Sequence, residues 1–307
     1  MKFKQLLTTA LAATLTIGGA LAGGEGWSDD FAASKKQAAE QKKDLLIDFT
    51  GSDWCGWCIR LSNEVFKHDA FNEGVKDSFV LVELDYPRDK SKLSEETQEQ
   101  NAKLQQQYGI TGFPTILLCD AEGKPYAKTG YKPGGPEKYV THLDELRAKR
   151  TARDEAFAKA AEATGPEQAK LYLAALQSLG LSDKVIGSTY EDIIEKIKAA
   201  DPEDSTGFIK KQEEAARQEE LNAKLRGMKK DEVITFLDKS LKEDWPVEGK
   251  QHIMGVKASY LLQDKKVDEC LKLLDEAVSL SPDSETATKL KRFHGMVEKN
   301  KEKILSQ

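Results

Sequence analysis

The chain has 307 residues, of which 39% are hydrophobic and 32% are charged, and its formal net charge is −6. This length accommodates two ordinary domains, and the composition is that of a folded, helix-rich protein. Because the charge balance is mildly acidic and no basic patch stands out, the sequence argues against a nucleic acid or an anionic membrane surface as a partner.

The first 22 residues have the pattern of a cleaved secretory signal. Lys2 and Lys4 precede an apolar run over 6–21, and Ala20-Leu21-Ala22 precedes a glycine pair. The run includes threonines and glycines and falls short of the ~20 apolar residues of a membrane span, which disfavours an uncleaved anchor. We expect a mature protein that is periplasmic or secreted, with no membrane span after signal cleavage.

Helix and strand patterns alternate after this segment. A helix is predicted over 29–43 with Ser28 as its candidate cap, and the apolar run 45–50 is typical of a strand buried on both faces. A second strand over 79–84 is expected to be parallel to the first. The charged segment 86–99 is interpreted as a solvated loop, with a substrate-binding element as the alternative.

The next elements complete a β-α-β then β-β-α order. A helix is predicted over 97–108, and two strands over 115–119 and 125–129 read as a hairpin. Pro136 is suited to the first turn of the following helix, which is expected to run to about residue 150.

Two cysteines lie one helical turn apart directly after the first long strand. In a Cys-x-x-Cys pair one sulfur can attack a disulfide and the other can resolve the adduct. A zinc ribbon uses the same spacing but needs a second ligand pair, and the chain has no other Cys-x-x-Cys. We therefore predict redox chemistry. Cys55, at a helix N-terminus that favours the thiolate, is the candidate nucleophile, and Cys58 is the candidate resolving thiol.

A second motif accompanies the cysteine pair. The sequence Gly112-Phe113-Pro114-Thr115 opens an apolar strand, and together with Trp54-Cys55-Gly56-Trp57-Cys58 it resembles the thioredoxin superfamily over about residues 27–149. The resemblance implies an α/β thioredoxin fold, in which helices flank a central mixed sheet. It also implies that Pro114 is cis, packs against the dithiol, helps to keep metal out and offers backbone groups to an extended substrate.

Asp48 is a charged residue within the buried strand. The resemblance implies that it lies behind the dithiol and helps to deprotonate Cys58, and burial should raise its pKa toward the range useful for proton transfer. The chain departs from the family pattern in two ways: one extra residue separates Asp48 from Cys55, and Glu83 stands where a lysine is common. A carboxyl with only a structural hydrogen-bonding role is the alternative.

The resemblance also implies a polypeptide substrate and an unidentified redox partner, with no cofactor and no metal. The candidate substrate-binding residues are Trp54, Gly56, Trp57, Phe113, Pro114 and Thr115. The Gly56-Trp57 pair between the cysteines does not fix the direction of electron flow. Since a glycine followed by an aromatic residue resembles some bacterial disulfide isomerases, we interpret the protein as a reductase or isomerase of disulfides in exported proteins.

The remainder of the chain is predicted to be a separate all-helical domain. The predicted division is a signal peptide over 1–22, a thioredoxin-like domain over 23–150 and helices over 151–307, where glycine and proline separate helical patterns. One stretch, in which small Ala258 faces small Cys270, resembles a single tetratricopeptide-type helix pair. An irregular helical bundle is the alternative, and the domain is a candidate surface for a protein partner.

Two further interpretations of the whole chain remain open at the sequence level. The protein could be a non-enzymatic adaptor whose helical half binds a partner, or a metal-binding module that uses Cys55 and Cys58 with His68. His68 itself reads as a solvated side chain. Cys119 and Cys270 are most simply small core residues, and a disulfide between them is the alternative.

Overall fold

The computed structural model describes residue 24 and residues 26–306, so the predicted signal segment 1–22 lies outside the described residues. The chain divides into two compact units, of which the first ends at Ser205 and the second begins at Thr206. Each unit is described by itself below. None of the described helices combines the length and the apolar character that crossing a bilayer requires.

A five-stranded mixed sheet lies at the centre of the first unit. The strands are β1 (Trp27–Ser28), β2 (Asp44–Thr50), β3 (Phe79–Asp85), β4 (Thr115–Cys119) and β5 (Pro125–Thr129). Their order in the sheet is β1-β3-β2-β4-β5. The three strands at one side of this order pair in parallel, whereas β4 is antiparallel to both β2 and β5. The predicted parallel pairing and the predicted hairpin are therefore confirmed.

Eight α-helices belong to the described part of the first unit. They are α1 (Phe31–Gln41), α2 (Gly56–Leu61), α3 (Asp69–Val75), α4 (Glu95–Gln107), α5 (Gly135–Glu162), α6 (Gly165–Ser178), α7 (Asp183–Thr189) and α8 (Glu191–Ala200). A π-helical turn (Ser62–Phe66) continues α2, and a 3-10 turn (Lys90–Lys92) precedes α4. Asp30 caps α1 by accepting a hydrogen bond from the Ala33 N–H at 2.9 Å. Ser28, the predicted cap, lies in β1 instead, because the helix starts two residues later than predicted.

Alternation along β2 sends its side chains into two apolar layers. Leu45, Ile47 and Phe49 share one hydrophobic cluster with residues of α1 and α4. By the same alternation Asp48 points to the opposite layer. All seven β2 residues are buried, which confirms the prediction of a central strand covered on both faces.

The helices that follow the sheet are attached to it by polar contacts. The Arg153 guanidinium on α5 donates to Asp120 at 2.9 Å and to the Tyr190 hydroxyl at 3.1 Å. Tyr190 in turn donates to the Pro125 carbonyl at 2.8 Å. Ser188 donates to the Gln107 carbonyl at 2.6 Å. The predicted division at residue 150 falls inside α5, and these contacts explain why the compact unit continues to Ser205.

The second unit is all-helical over its described residues. Its helices are α9 (Phe208–Arg226), α10 (Lys230–Ser240), α11 (Val247–Gln263), α12 (Val267–Leu280), α13 (Glu285–Lys299) and α14 (Lys301–Ser306). Ala258 and Cys270 are fully buried in one cluster with Leu274 and Ala277, as expected for a helix pair that approaches closely through small residues. The helical character is thus confirmed, whereas the tetratricopeptide resemblance stays a prediction.

Candidate active site

A tight turn carries the chain from β2 to the cysteine pair. The Gly51 carbonyl accepts hydrogen bonds from the N–H groups of Trp54 at 3.3 Å and Cys55 at 2.9 Å. A Cβ at Gly51 would lie 2.5 Å from the Trp54 indole, so only glycine allows this ring to fold back over the turn. The turn contains the extra residue that separates Asp48 from Cys55.

The cysteine pair forms a disulfide at the start of α2. The Cα atoms of Cys55 and Cys58 are 5.2 Å apart, and their sulfurs are bonded. Cys55 is the N-cap residue of α2, and its sulfur accepts a hydrogen bond from the Cys58 N–H at 3.3 Å. The unpaired N–H groups of a first helical turn favour negative charge, so this donor stabilises a thiolate on Cys55 once the disulfide opens.

The disulfide is more enclosed than the sequence predicts. Cys55 is 6% exposed and Cys58 is 3% exposed, so the expected accessible thiol at Cys55 is not found in this oxidised state. The flanking Trp54 and Trp57 are 39% and 56% exposed. The two exposed indoles therefore form a broad apolar surface next to the buried sulfur atoms.

The second motif forms an aromatic wall on the Trp54 side of the disulfide. The Phe113–Pro114 peptide bond is cis, as the thioredoxin resemblance implies. The Phe113 ring lies 5.6 Å from the Trp54 ring and 5.2 Å from the Tyr86 ring, and the Trp54 Nε1–H donates to the Tyr86 carbonyl at 2.8 Å. Thr115 is buried and its hydroxyl donates to the Gly112 carbonyl at 2.8 Å. The structure therefore joins Trp54 to the proline loop through Tyr86, which sequence reasoning missed.

A second aromatic wall stands on the Trp57 side. The Tyr131 ring lies 5.1 Å from the Trp57 ring, and the Arg60 guanidinium lies over both rings at 5.1 and 5.5 Å. Glu64 accepts hydrogen bonds from Arg60 and from the Tyr131 hydroxyl, each at 2.7 Å. Sequence reasoning missed this cluster as well, although Arg60 and Glu64 have the i,i+4 spacing that places two side chains on one helix face.

Asp48 is 4% exposed in the interior of the sheet. It lies in register with Glu83 on β3 and with Ile116 on β4. Its Oδ1 atom is buried and has no hydrogen-bond partner among the described residues. Burial, followed by the negative charges of Glu83 and Asp85, holds the pKa of Asp48 well above its usual range. Asp48 is therefore a buried carboxyl that favours the protonated form.

The charged segment after β3 is anchored to the active-site turn. Asp85 accepts hydrogen bonds from the N–H and hydroxyl of Ser52 at 2.8 and 2.5 Å. Asp53 accepts from the Arg88 N–H at 2.9 Å and from the Lys92 ammonium at 3.0 Å. These hydrogen bonds lower the pKa of Asp53 to about 2. The segment interpreted as a solvated loop is thus pinned beside the disulfide.

The other side chains considered in the sequence analysis, Cys119, Cys270 and His68, have contacts that do not include the two aromatic walls. Cys119 and Cys270 are both buried and free, and burial raises the pKa of each thiol, to about 11 for Cys270. His68 is exposed, and its Nε2 lies 3.0 Å from the Asn63 carbonyl. Within residues 26–306, His, Cys, Asp and Glu side chains are not grouped in threes as a metal site would need.

A thioredoxin-type sheet with a Cys-x-x-Cys disulfide and a cis-proline loop defines a thiol–disulfide oxidoreductase. The sequence profile of the thioredoxin-like domain matches residues 31–147. The chain is 35% identical over 115 residues to the disulfide bond reductase DsbH of Chlamydia pneumoniae, in a match that covers 38% of this chain and 69% of that protein. The chain therefore belongs to the thioredoxin-like family.

Two further similarities concern the same region. The thiol:disulfide interchange protein DsbD of Vibrio vulnificus is 30% identical over 112 residues, which is 36% of this chain but only 17% of that protein. A solved structure of a DsbH oxidoreductase shares 30% identity and covers 47% of this chain and 94% of its own, with a TM-score of 0.38. The chain thus spans a small part of DsbD and most of DsbH.

Proposed function

We propose that this protein is an exported reductase of disulfides in exported polypeptides, and that Cys55 is its nucleophile. The observation that carries the proposal is the disulfide at the N-terminus of α2, where the Cys58 N–H donates to the Cys55 sulfur. This donor lowers the energy of a thiolate on Cys55 and has no counterpart for Cys58 among the hydrogen bonds of the site.

The reaction begins from the reduced dithiol. The Cys55 thiolate attacks one sulfur of a substrate disulfide, so that a Cys55–substrate bond forms, the substrate S–S bond breaks and one substrate thiolate leaves. We assign contact with the substrate to Trp54, Gly56, Trp57 and the loop of Phe113, Pro114 and Thr115, and the contact between the Trp54 and Phe113 rings supports this assignment. The exposed indoles offer a flat apolar surface to an extended polypeptide.

The second step releases the other half of the substrate. Cys58 loses its proton and attacks the Cys55 sulfur, which forms the disulfide seen in this structure and frees the second substrate thiolate. We assign the proton acceptor role to Asp48, directly or through one water, because its buried Oδ1 has no other partner among the described residues. Two electrons pass from the Cys55–Cys58 dithiol to the substrate disulfide. A separate dithiol partner must then reduce the Cys55–Cys58 disulfide before the next turnover.

Two observations favour reduction in an exported setting. The relative DsbH of Chlamydia pneumoniae is named as a disulfide bond reductase. Lys2, Lys4 and the apolar run over 6–21 have the pattern of a secretory signal. Disulfides persist in exported proteins, so a reductase or isomerase finds substrates in that compartment. Isomerisation begins with the same attack of Cys55 on a substrate disulfide.

Substitution of the nucleophile tests the proposal. We expect Cys55→Ser to abolish reduction of insulin disulfides by the prereduced protein, because the attacking sulfur is lost. Cys58→Ser should instead accumulate a mixed disulfide on Cys55, which non-reducing mass spectrometry detects. Cys119→Ala is the matched control, since Cys119 is a free thiol in the core, and it should retain activity. Undiminished turnover by Cys55→Ser would refute the assignment.

A further inference from the structure

A pocket of about 300 Å³ lies within the first unit beside the Phe113 ring. Tyr86, Pro87 and Leu93 line it from the segment after β3, and Ala102 lines it from α4. We propose that this pocket is a substrate subsite that receives a bulky apolar side chain of the polypeptide, next to the cysteine under attack. The proposal rests on the proposed function and adds a sequence preference to it.

The pocket is continuous with the redox site through shared side chains. Phe113 lines the pocket, immediately precedes Pro114 and lies 5.6 Å from the Trp54 ring. Trp54 immediately precedes Cys55 and donates to the carbonyl of Tyr86, which also lines the pocket. Two residues of the pocket lining, Tyr86 and Phe113, therefore contact the residue that precedes Cys55. An extended substrate advances about 3.3 Å per residue, so the side chain that we assign to the pocket belongs to a residue close in sequence to the attacked cysteine.

The chemistry of the lining selects an apolar side chain. Aromatic and aliphatic surface comes from Tyr86, Pro87, Leu93, Ala102 and Phe113. The polar residues of the lining are Asp85, Lys90, Gln98, Asn101 and Gln105, and the amide groups of Gln98 and Asn101 already donate to backbone carbonyls. Asp85 is already occupied by hydrogen bonds from Ser52. The volume is at the lower end of the range for small-ligand pockets, about 300–1,000 Å³, so the pocket suits one large side chain rather than a cofactor.

The walls are fixed before substrate arrives. The Tyr86 hydroxyl donates to the Asn101 carbonyl at 2.7 Å, and the Asn101 amide donates to the Asp85 carbonyl at 2.8 Å. The Gln98 amide donates to the carbonyls of Lys90 and Leu93 at 2.9 and 3.0 Å. These hydrogen bonds hold the segment against α4 before substrate binds. The protein therefore loses little conformational entropy when a side chain enters the pocket, and less of the free energy of apolar contact is offset.

The test uses two disulfide-linked peptide substrates that differ only beside the cysteine, one with phenylalanine and one with alanine. We expect the wild-type protein to have a kcat/KM roughly tenfold higher for the phenylalanine peptide, the scale of burying part of an aromatic side chain. Ala102→Trp fills the pocket from an exposed helix position and should remove this preference, with turnover of the alanine peptide and of bis(2-hydroxyethyl) disulfide unchanged.

Lys103→Trp is the matched control, because Lys103 is on the same helix, is 80% exposed and does not line the pocket. It should keep the preference, whereas Leu93→Asp, which places a charge in the lining, should lose it. Equal turnover of both peptides by the wild type, or equal effects of the two tryptophan substitutions, overturns the subsite and leaves the proposed function intact. Failure of the wild type to reduce even the small disulfide overturns the proposed function itself.

Discussion

Two aspartates, Asp48 in β2 and Asp53 in the turn before Cys55, show how local environment sets opposite chemical behaviour. Asp53 is exposed and accepts hydrogen bonds from Arg88 and Lys92, which lower its pKa to about 2. Asp48 is buried beside Glu83, so its pKa is raised well above the usual range. The first carboxylate therefore stays charged and holds a loop, and the second is suited to accept and return a proton.

At the residue scale, Asp48→Asn separates the two chemical steps. We expect the release of substrate from the mixed disulfide to slow far more than the first attack by Cys55, because only the second step needs a proton acceptor for Cys58. Rapid-quench kinetics with the prereduced protein resolves the two steps. Wild-type release should accelerate as pH rises through the raised pKa of Asp48, and the variant should lack that dependence. Equal slowing of both steps would contradict the role.

The same substitution has a consequence for folding that follows from the direction of the pKa shift. Since burial raises the pKa of Asp48, the folded state binds the proton more tightly than the unfolded state, so stability falls as pH rises above about 3.9, the ordinary aspartate value. Asp48→Asn should therefore stabilise the oxidised protein at pH 7 and not at pH 3, as measured by urea unfolding. Asp144→Asn, at an exposed α5 position, controls for the loss of one carboxylate.

At the scale of elements, α5 connects the sheet to the helices that follow it. This helix runs from Gly135 to Glu162, well past the point where a thioredoxin-like domain was predicted to end. Its residue Arg153 is 5% exposed and lies between the β4–β5 turn at Asp120 and α8 at Tyr190. A buried guanidinium with several partners makes these elements one packing unit, because its loss would leave the buried Asp120 carboxylate without its ion-pair partner.

Loss of this guanidinium should therefore weaken the first unit. We expect Arg153→Ala to lower the free energy of unfolding by about 3–5 kcal/mol, the range for removing one partner of a buried ion pair. Urea unfolding followed by tryptophan fluorescence measures the change. Lys149→Ala, at an exposed position on the same helix, is the matched control and should have little effect. A similar stability for Arg153→Ala and the wild type would argue against this role of the contact.

On the scale of the whole molecule, the two compact units divide the chain after Ser205, whereas the residues of the redox site all lie before Gly135. The second unit has its own apolar clusters, such as the one around Trp245 and the one around Cys270. A unit with its own core can fold independently of its neighbour. The redox chemistry is therefore expected to belong to the first unit alone.

Two truncated chains test this division. We expect a chain that ends at Ser205 to reduce insulin disulfides at the rate of the full chain, because every residue assigned to the chemistry is retained. A chain that ends at residue 150 should unfold at lower urea concentration, since it lacks both Arg153 and Tyr190. Equal stability of the two truncated chains would favour the boundary predicted from the sequence. A large loss of activity on removal of 206–307 would instead indicate that the second unit presents the substrate.

Local signals explain which parts of the fold were predictable. The short turn segment between the hairpin strands, the continuous apolar run of β2 and the cysteine spacing each depend on neighbours in sequence, and the structure contains the corresponding elements. Strand β1 has only two residues, Trp27 and Ser28, which is too short for a periodic pattern. The N-cap was misplaced by two residues for a similar reason, because Ser28 and Asp30 carry the same kind of capping side chain.

The amino-acid sequence by itself determined the chemistry of this protein, because two sulfurs one helical turn apart and a proline loop are encoded within short segments. Only the tertiary structure decided what surrounds them. Tyr86 meets Trp54 and Phe113, and Arg153 meets Tyr190, across separations of tens of residues that no local pattern reports. Such contacts depend on how the sheet and helices pack, so they fix the pocket beside the Phe113 ring and the extent of the first unit.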